Sequence, residues 1–150
     1  ILGRAAGEDA QRALIISARD KARANIMEYD GEITLIHTDA LRENVFRNDQ
    51  GLALIDFDDA GFGYTMYDLA ASVTQLYDDP LYPQVCEAIL DGYASHRPLR
   101  DTDRTMFKTF EMMRAFSALG WTMPRLPGDH PKLPLYVRRA CEMASAYIRS

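Results

Sequence analysis

The chain has 150 residues, 47% of them hydrophobic and 26% charged, which is enough to bury one core and argues against a disordered segment. Twenty-two acidic residues against 17 Lys and Arg give a formal charge of −5. The basic residues are scattered, with groupings no longer than Arg138-Arg139, so nucleic acid and anionic membranes are excluded as expected partners on electrostatic grounds. No run approaches the roughly 18 apolar residues of a membrane span, and the N-terminus shows no signal-peptide pattern. Cys86 and Cys141 fall inside apolar helical patterns and read as small buried hydrophobes of a reducing cytoplasm, not as a disulfide. The chain begins with Ile and reads as a fragment with material removed upstream.

In chain order, Glu8 to Met27 carries Leu14, Ile15, Ala18, Ala22 and Ile26 at helical spacing, and Asp30-Gly31 ends that helix. Ile33 to His37 is short, apolar and β-branched, the pattern of a buried strand. A polar loop follows, Thr38 to Glu43. Val45-Phe46-Arg47 and Leu52 to Ile55 then flank Asn48-Asp49-Gln50-Gly51, a turn-rich tetrapeptide that closes a hairpin. Beyond it the chain is helical. The stripes are Met66, Leu69, Ala70, Val73, Leu76 and Tyr77; then Tyr82, Val85, Cys86, Ile89 and Tyr93. Met106, Phe110 and Met113 mark a third helix, and Val137, Ala140, Cys141, Ala144 and Ile148 a fourth. Pro124, Pro127, Pro131 and Pro134 form a breaker segment between those two. No repeat or linker marks a second domain, so residues 1–150 are expected to form one mainly helical α+β domain with a small β-hairpin on its surface.

The chemistry-bearing residues lie around that hairpin. Asp39 and Asn44 stand five positions apart, and Asp56 follows at the far end of the hairpin. Antiparallel pairing would bring Asn44 and Asp56 together. That arrangement suits kinase-type phosphoryl transfer, in which one carboxylate orients and deprotonates the attacking hydroxyl while an amide oxygen and a second carboxylate hold Mg²⁺. Alone, Asp39 would read as a loop Asp capping local backbone, and Asn44 as a hairpin residue satisfying backbone groups. Asp56 resists that reading, since a carboxylate ending an apolar strand is costly if buried without a partner, and a hard cation would offset the cost. Asp58 and Asp59 deepen the negative charge beside Asp56, Asp58 as an assistant to the metal directly or through water and Asp59 equally as a solvated charge.

The runs Leu35-Ile36-His37-Thr38-Asp39 with Asn44, Leu54-Ile55-Asp56-Phe57-Asp58-Asp59-Ala60-Gly61-Phe62-Gly63 and Tyr67-Asp68-Leu69-Ala70 together resemble the aminoglycoside phosphotransferase and choline kinase-like family. The resemblance implies the C-terminal lobe of a protein-kinase-like fold, with ATP and Mg²⁺ as cofactors and a small-molecule hydroxyl as acceptor. It implies Asp39 as catalytic base, Asn44 and Asp56 as the Mg²⁺ and nucleotide-binding ligands, and His37 and Asp68 as structural support of the loop. Thr38 stands where the family usually has Gly, and Ala40-Leu41-Arg42-Glu43 replaces Leu-His-Pro-Gly. Arg42 thereby brings a cation close to the incoming phosphates. No Gly-rich phosphate loop with a downstream Lys occurs in these residues, so the N-terminal lobe of the same polypeptide is expected to be missing.

A non-catalytic regulatory or scaffolding module derived from such a lobe is the second reading, favoured by the missing Gly-rich loop and opposed by the intact Asp39, Asn44 and Asp56. A metal-dependent hydrolase is a third. His37-x-Asp39 suits it, but His96 and His130 lie at no metal-ligand spacing. Gly61-Phe62-Gly63 reads as a flexible loop, Phe116 and the Met106, Met112 and Met113 group as packing, and Trp121 and Tyr93 as core or pocket lining. If the lobe stands alone, its exposed inter-lobe surface is expected to be partly apolar, since the nucleotide base packs there in the family. The acceptor is left open among aminoglycosides, amino alcohols, homoserine, sugars and protein hydroxyls, as are ATP against GTP and the oligomeric state.

Overall fold

The computed structural model describes residues 2–150, with side chains from Gly7 onward. In order, the elements are α1 (Leu2–Glu28), β1 (Ile33–Ile36), β2 (Val45–Asn48), β3 (Gly51–Leu54), β4 (Gly61–Tyr64), α2 (Thr65–Val73), α3 (Tyr82–Ala94), α4 (Asp101–Thr122) and α5 (Leu133–Arg149). Short 3₁₀ turns occupy Arg42–Asn44 and Thr74–Leu76. The expected mainly helical α+β class is what the chain adopts. Residues 2–28 with 112–150 form one compact unit, and 29–111 form another.

In the first unit α1 packs on α5. Ala18 and Ala22 on α1, and Ala140 and Ala144 on α5, are buried small residues that let helices approach closely. Lys21 Nζ donates to the Tyr147 carbonyl at 3.0 Å and Asn25 Nδ2 to the Tyr147 hydroxyl at 2.7 Å. Met112 is fully buried and Phe116 half-buried, as packing residues are. Trp121 is exposed, with the Arg125 guanidinium 4.4 Å from its ring centre. Pro134 belongs to the first turn of α5, where its missing N–H costs nothing, so the breaker segment is shorter than its prolines suggested.

The second unit carries both sheets. β2 and β3 form the expected hairpin, antiparallel with Val45 opposite Leu54 and Asn48 opposite Gly51. Its apolar side chains Val45, Phe46, Leu52 and Leu54 are exposed. The segment Gly61–Tyr64 is a strand, not the flexible loop its glycines suggested: β4 pairs antiparallel with β1, with Leu35 opposite Phe62 and Ile36 opposite Gly61. Steric fit explains the glycine at 63, since a Cβ there would lie 2.6 Å from Ile36 Cδ1. Ile36 is buried while Ile33, Leu35 and Phe62 are exposed, so the pair lays one face on the core. That core consists of Met66, Ala70, Ala71 and Val73 from α2, Leu90 from α3, and Met106, Phe107 and Phe110 from α4. Tyr29, Tyr64 and Tyr67 all set their rings against Phe110.

Polar pairs fix the ends of α3 and α4. Asp103 accepts the Arg100 N–H at 2.8 Å, satisfying a donor at the α4 start, and also takes the Tyr29 hydroxyl at 2.7 Å and the Arg100 guanidinium. The Arg100 guanidinium holds Asp103 at about 2, below the ordinary carboxylate range. Between α3 and α4, buried Glu111 accepts from the Tyr82 hydroxyl and from the Cys86 thiol, the latter at 3.3 Å. Both cysteines are free thiols and only half-buried.

Candidate active site

β1 ends at Ile36, and the next residues turn away from the sheet because their amides are captured from the side. The Asp68 carboxylate, on the first turn of α2, accepts the His37 N–H at 2.9 Å with one oxygen and the Thr38 N–H at 2.8 Å with the other. Two consecutive amides pointing at one carboxylate force a sharp bend, and Thr38 takes φ 66°, the left-handed region that a β-branched residue rarely enters. The Thr38 hydroxyl donates to the Asp59 carbonyl at 2.9 Å.

Asp39 follows that bend and is half-buried. Its carbonyl accepts the Leu41 N–H at 2.7 Å and the Asn44 Nδ2 at 2.9 Å, which closes the loop on itself. A 3₁₀ turn at Arg42–Asn44 stands where the family usually has Pro-Gly, and Gln75 donates to Glu43 at 2.9 Å from beside it. Asn44 is buried, and with Nδ2 committed to Asp39 its Oδ1 is the amide's remaining acceptor.

The hairpin then brings the third residue back. One step beyond the Val45–Leu54 pair, the Ile55 N–H donates to the Asn44 carbonyl at 3.1 Å, so Asp56 lies next to Asn44's cross-strand partner at the open end of the hairpin. Asp56 is exposed and has φ 64°, a second left-handed residue in the same small region. The loop beyond closes through the Ala60 N–H on the Phe57 carbonyl at 3.0 Å.

His37 sits between the two loops. It is 3% exposed, its Nε2 donates to the Ile55 carbonyl at 2.8 Å, and its ring lies 4.5 Å from that of Phe57. With Nε2 bearing the proton, Nδ1 is buried without a hydrogen-bond partner. Asp58 and Arg42 are exposed. Sequence reasoning assigned no role to Thr38, although a Thr in a position where relatives carry Gly was the available signal. It also missed Glu111, which falls in an apolar helical pattern with no motif around it.

The donor chemistry can be tested against a metal. Among the described residues no trio of His, Cys, Asp or Glu stands ready to hold an ion unaided. An amide oxygen and a carboxylate are nevertheless hard donors, and a magnesium ion takes few protein ligands when nucleotide phosphates supply the others. Asn44 and Asp56 fit that role.

Helices, hairpin and clamped loop together define a lobe of protein-kinase-like fold. The chain belongs to the phosphotransferase enzyme family, whose sequence profile matches residues 2–106. No curated protein matches it. Among solved structures it is similar to a microcompartment-associated aminopropanol kinase, at 28% identity and a TM-score of 0.84, over 93% of this chain and 46% of that one. It also resembles an amicoumacin kinase solved in complex with AMP-PNP, Ca²⁺ and Ami (15% identity, TM-score 0.73, 89% of this chain and 45% of that one). A Plasmodium vivax ethanolamine kinase aligns at 14% identity and TM-score 0.57, over 93% of this chain and 39% of its own. The chain thus spans less than half the length of the solved relatives it matches.

Proposed function

We propose that this chain is the C-terminal, acceptor- and metal-binding lobe of an ATP-dependent phosphotransferase that phosphorylates a hydroxyl of a small amine-bearing molecule. The observation that carries the reading is the hydrogen-bonded frame around Asp39, Asn44 and Asp56. Asp68 clamps the entry to the first loop, Asn44 closes it, and His37 holds the second loop through Ile55. Family membership supports phosphoryl transfer, and the span of under half the relatives' length supports a nucleotide-covering lobe elsewhere in the same polypeptide. The aminopropanol kinase, at 28% identity, supports an amino alcohol as acceptor.

In this mechanism the Asp39 carboxylate hydrogen-bonds the acceptor hydroxyl, aims its oxygen at the γ-phosphorus and takes its proton as the bond to phosphorus forms. Asn44 Oδ1 and the Asp56 carboxylate would hold magnesium, whose positive charge would supply electrostatic stabilisation to the nucleotide phosphates. The frame contributes positioning: its loops are already ordered by hydrogen bonds, so little reorganisation is needed when substrates arrive.

The test is turnover by the full-length polypeptide carrying these residues, with Mg-ATP and a panel including aminopropanol and ethanolamine. ADP release coupled to acceptor phosphorylation is the expected result. Asp39→Asn should lower it by on the order of a thousandfold or more while nucleotide binding is kept. Near-normal turnover by that variant would sink the assignment.

A further inference from the structure

We propose that Thr38 is a positioning residue whose hydroxyl ties the loop carrying Asp39 to the loop carrying Asp56. This rests on the roles given to those two carboxylates above. The backbone conformation at Thr38, φ 66°, is one that glycine adopts freely and a β-branched residue adopts only against a steric penalty. If the position served only to pass the chain through a bend, threonine would be the wrong choice. What threonine adds is the Oγ1–H, and that group is in use, bonded to the Asp59 carbonyl at 2.9 Å. Its N–H is in use as well, on Asp68 at 2.8 Å. The residue is therefore held from two sides, which is the condition under which a strained conformation persists.

The tie has a mechanical consequence. Asp56, itself at φ 64°, lies between two anchor points on its loop. Upstream, the Ile55 carbonyl is held by His37 Nε2 at 2.8 Å. Downstream, the Asp59 carbonyl is held by Thr38. His37 and Thr38 immediately precede Asp39, so the segment that aims the base also fixes both flanks of the metal-side carboxylate. Loss of the hydroxyl would leave the Phe57–Ala60 turn attached on one flank only.

The experiment is amide hydrogen exchange on the full-length polypeptide as wild type, Thr38→Val, Thr38→Ser and Thr38→Gly, followed by steady-state kinetics. Ala60 N–H, bonded to Phe57 O, reports the metal-side loop, and Leu41 N–H, bonded to Asp39 O, reports the base-side loop. Loss of one neutral hydrogen bond corresponds to about fivefold faster exchange. Thr38→Val should show that at both reporters, and Thr38→Ser should restore wild-type rates. Thr38→Gly relieves the backbone strain, so it stays folded if Val does not, and it should still speed Ala60. Turnover should fall on the order of tenfold in Val and Gly, with the nucleotide KM raised because the Asp56 flank is loosened, and both should recover in Ser. Unchanged Ala60 exchange in Val and Gly would overturn the tie. Faster exchange with unaltered turnover would overturn its positioning role. Absence of phosphoryl transfer in the wild type would instead count against the functional reading, and the exchange arm would still decide whether Thr38 joins the loops.

Discussion

Asp68 satisfies two consecutive amides, His37 N–H at 2.9 Å and Thr38 N–H at 2.8 Å, with one carboxylate. Removing it leaves both donors without that acceptor beside a buried histidine, at a cost of about 1–3 kcal/mol for each group that stays unpaired. Asp68→Ala is expected to destabilise the chain by roughly 2–4 kcal/mol in urea unfolding; a change below about 0.5 kcal/mol would show that the clamp is replaceable by water. Asp103 yields a pH effect. Its folded value is depressed to about 2 by the Arg100 guanidinium, so its stabilisation is fully present above the ordinary carboxylate value and is lost as pH falls through about 2. Wild type should therefore lose stability between about pH 4 and pH 2 more steeply than Asp103→Asn, and parallel acid titrations of the two would contradict this. At this scale the candidate residues could be singled out because their spacing is chemical: Asp39, Asn44 and Asp56 keep the order and separation of the motif they resemble although the intervening residues differ. The φ of Thr38 was not legible, since a left-handed turn at a β-branched residue is imposed by Asp68, thirty residues away in sequence.

Among the elements, the hairpin and all five helices followed from hydrophobic periodicity and turn chemistry. β4 did not. Gly61-Phe62-Gly63 has weak strand propensity and becomes a strand only because β1 offers its edge and Gly63 leaves room for Ile36. Gly63→Ala is accordingly expected to destabilise by about 1–3 kcal/mol, and Ile36→Val in that background to recover part of it by removing the obstructing methyl. Additive losses in the double variant would contradict the packing account. Between α3 and α4, burial pushes Glu111 above the ordinary carboxylate range despite hydrogen bonds from Tyr82 and Cys86, and the same burial pushes the Cys86 thiol up to about 12. A raised acid stabilises below its unfolded value and loses that contribution as pH rises through the folded one. Thermal scans should show wild type falling behind Glu111→Gln as pH rises above the ordinary carboxylate range; a constant difference between them would remove Glu111 from the account.

For the whole molecule, three features combine: a net charge of −5, exposed apolar side chains on the β2–β3 hairpin beside the site, and a length under half that of the solved relatives it matches. Val45, Phe46, Leu52 and Leu54 give the hairpin an exposed apolar surface. No described helix is long and apolar enough to cross a membrane. Composition could not reveal that the chain divides into two compact units, because α4 supplies one continuous helix to both without a break in its pattern. The acceptor's identity was equally illegible, since a magnesium site is acidic whatever acceptor it serves. The central claim is that Asn44 and Asp56 form the metal side of a nucleotide site. Calorimetric titration of Mg-ATP into the full-length polypeptide and its Asp56→Ala variant tests it most directly. The account predicts saturable, magnesium-dependent binding in the wild type that disappears in the variant; equal binding by both proteins would contradict it.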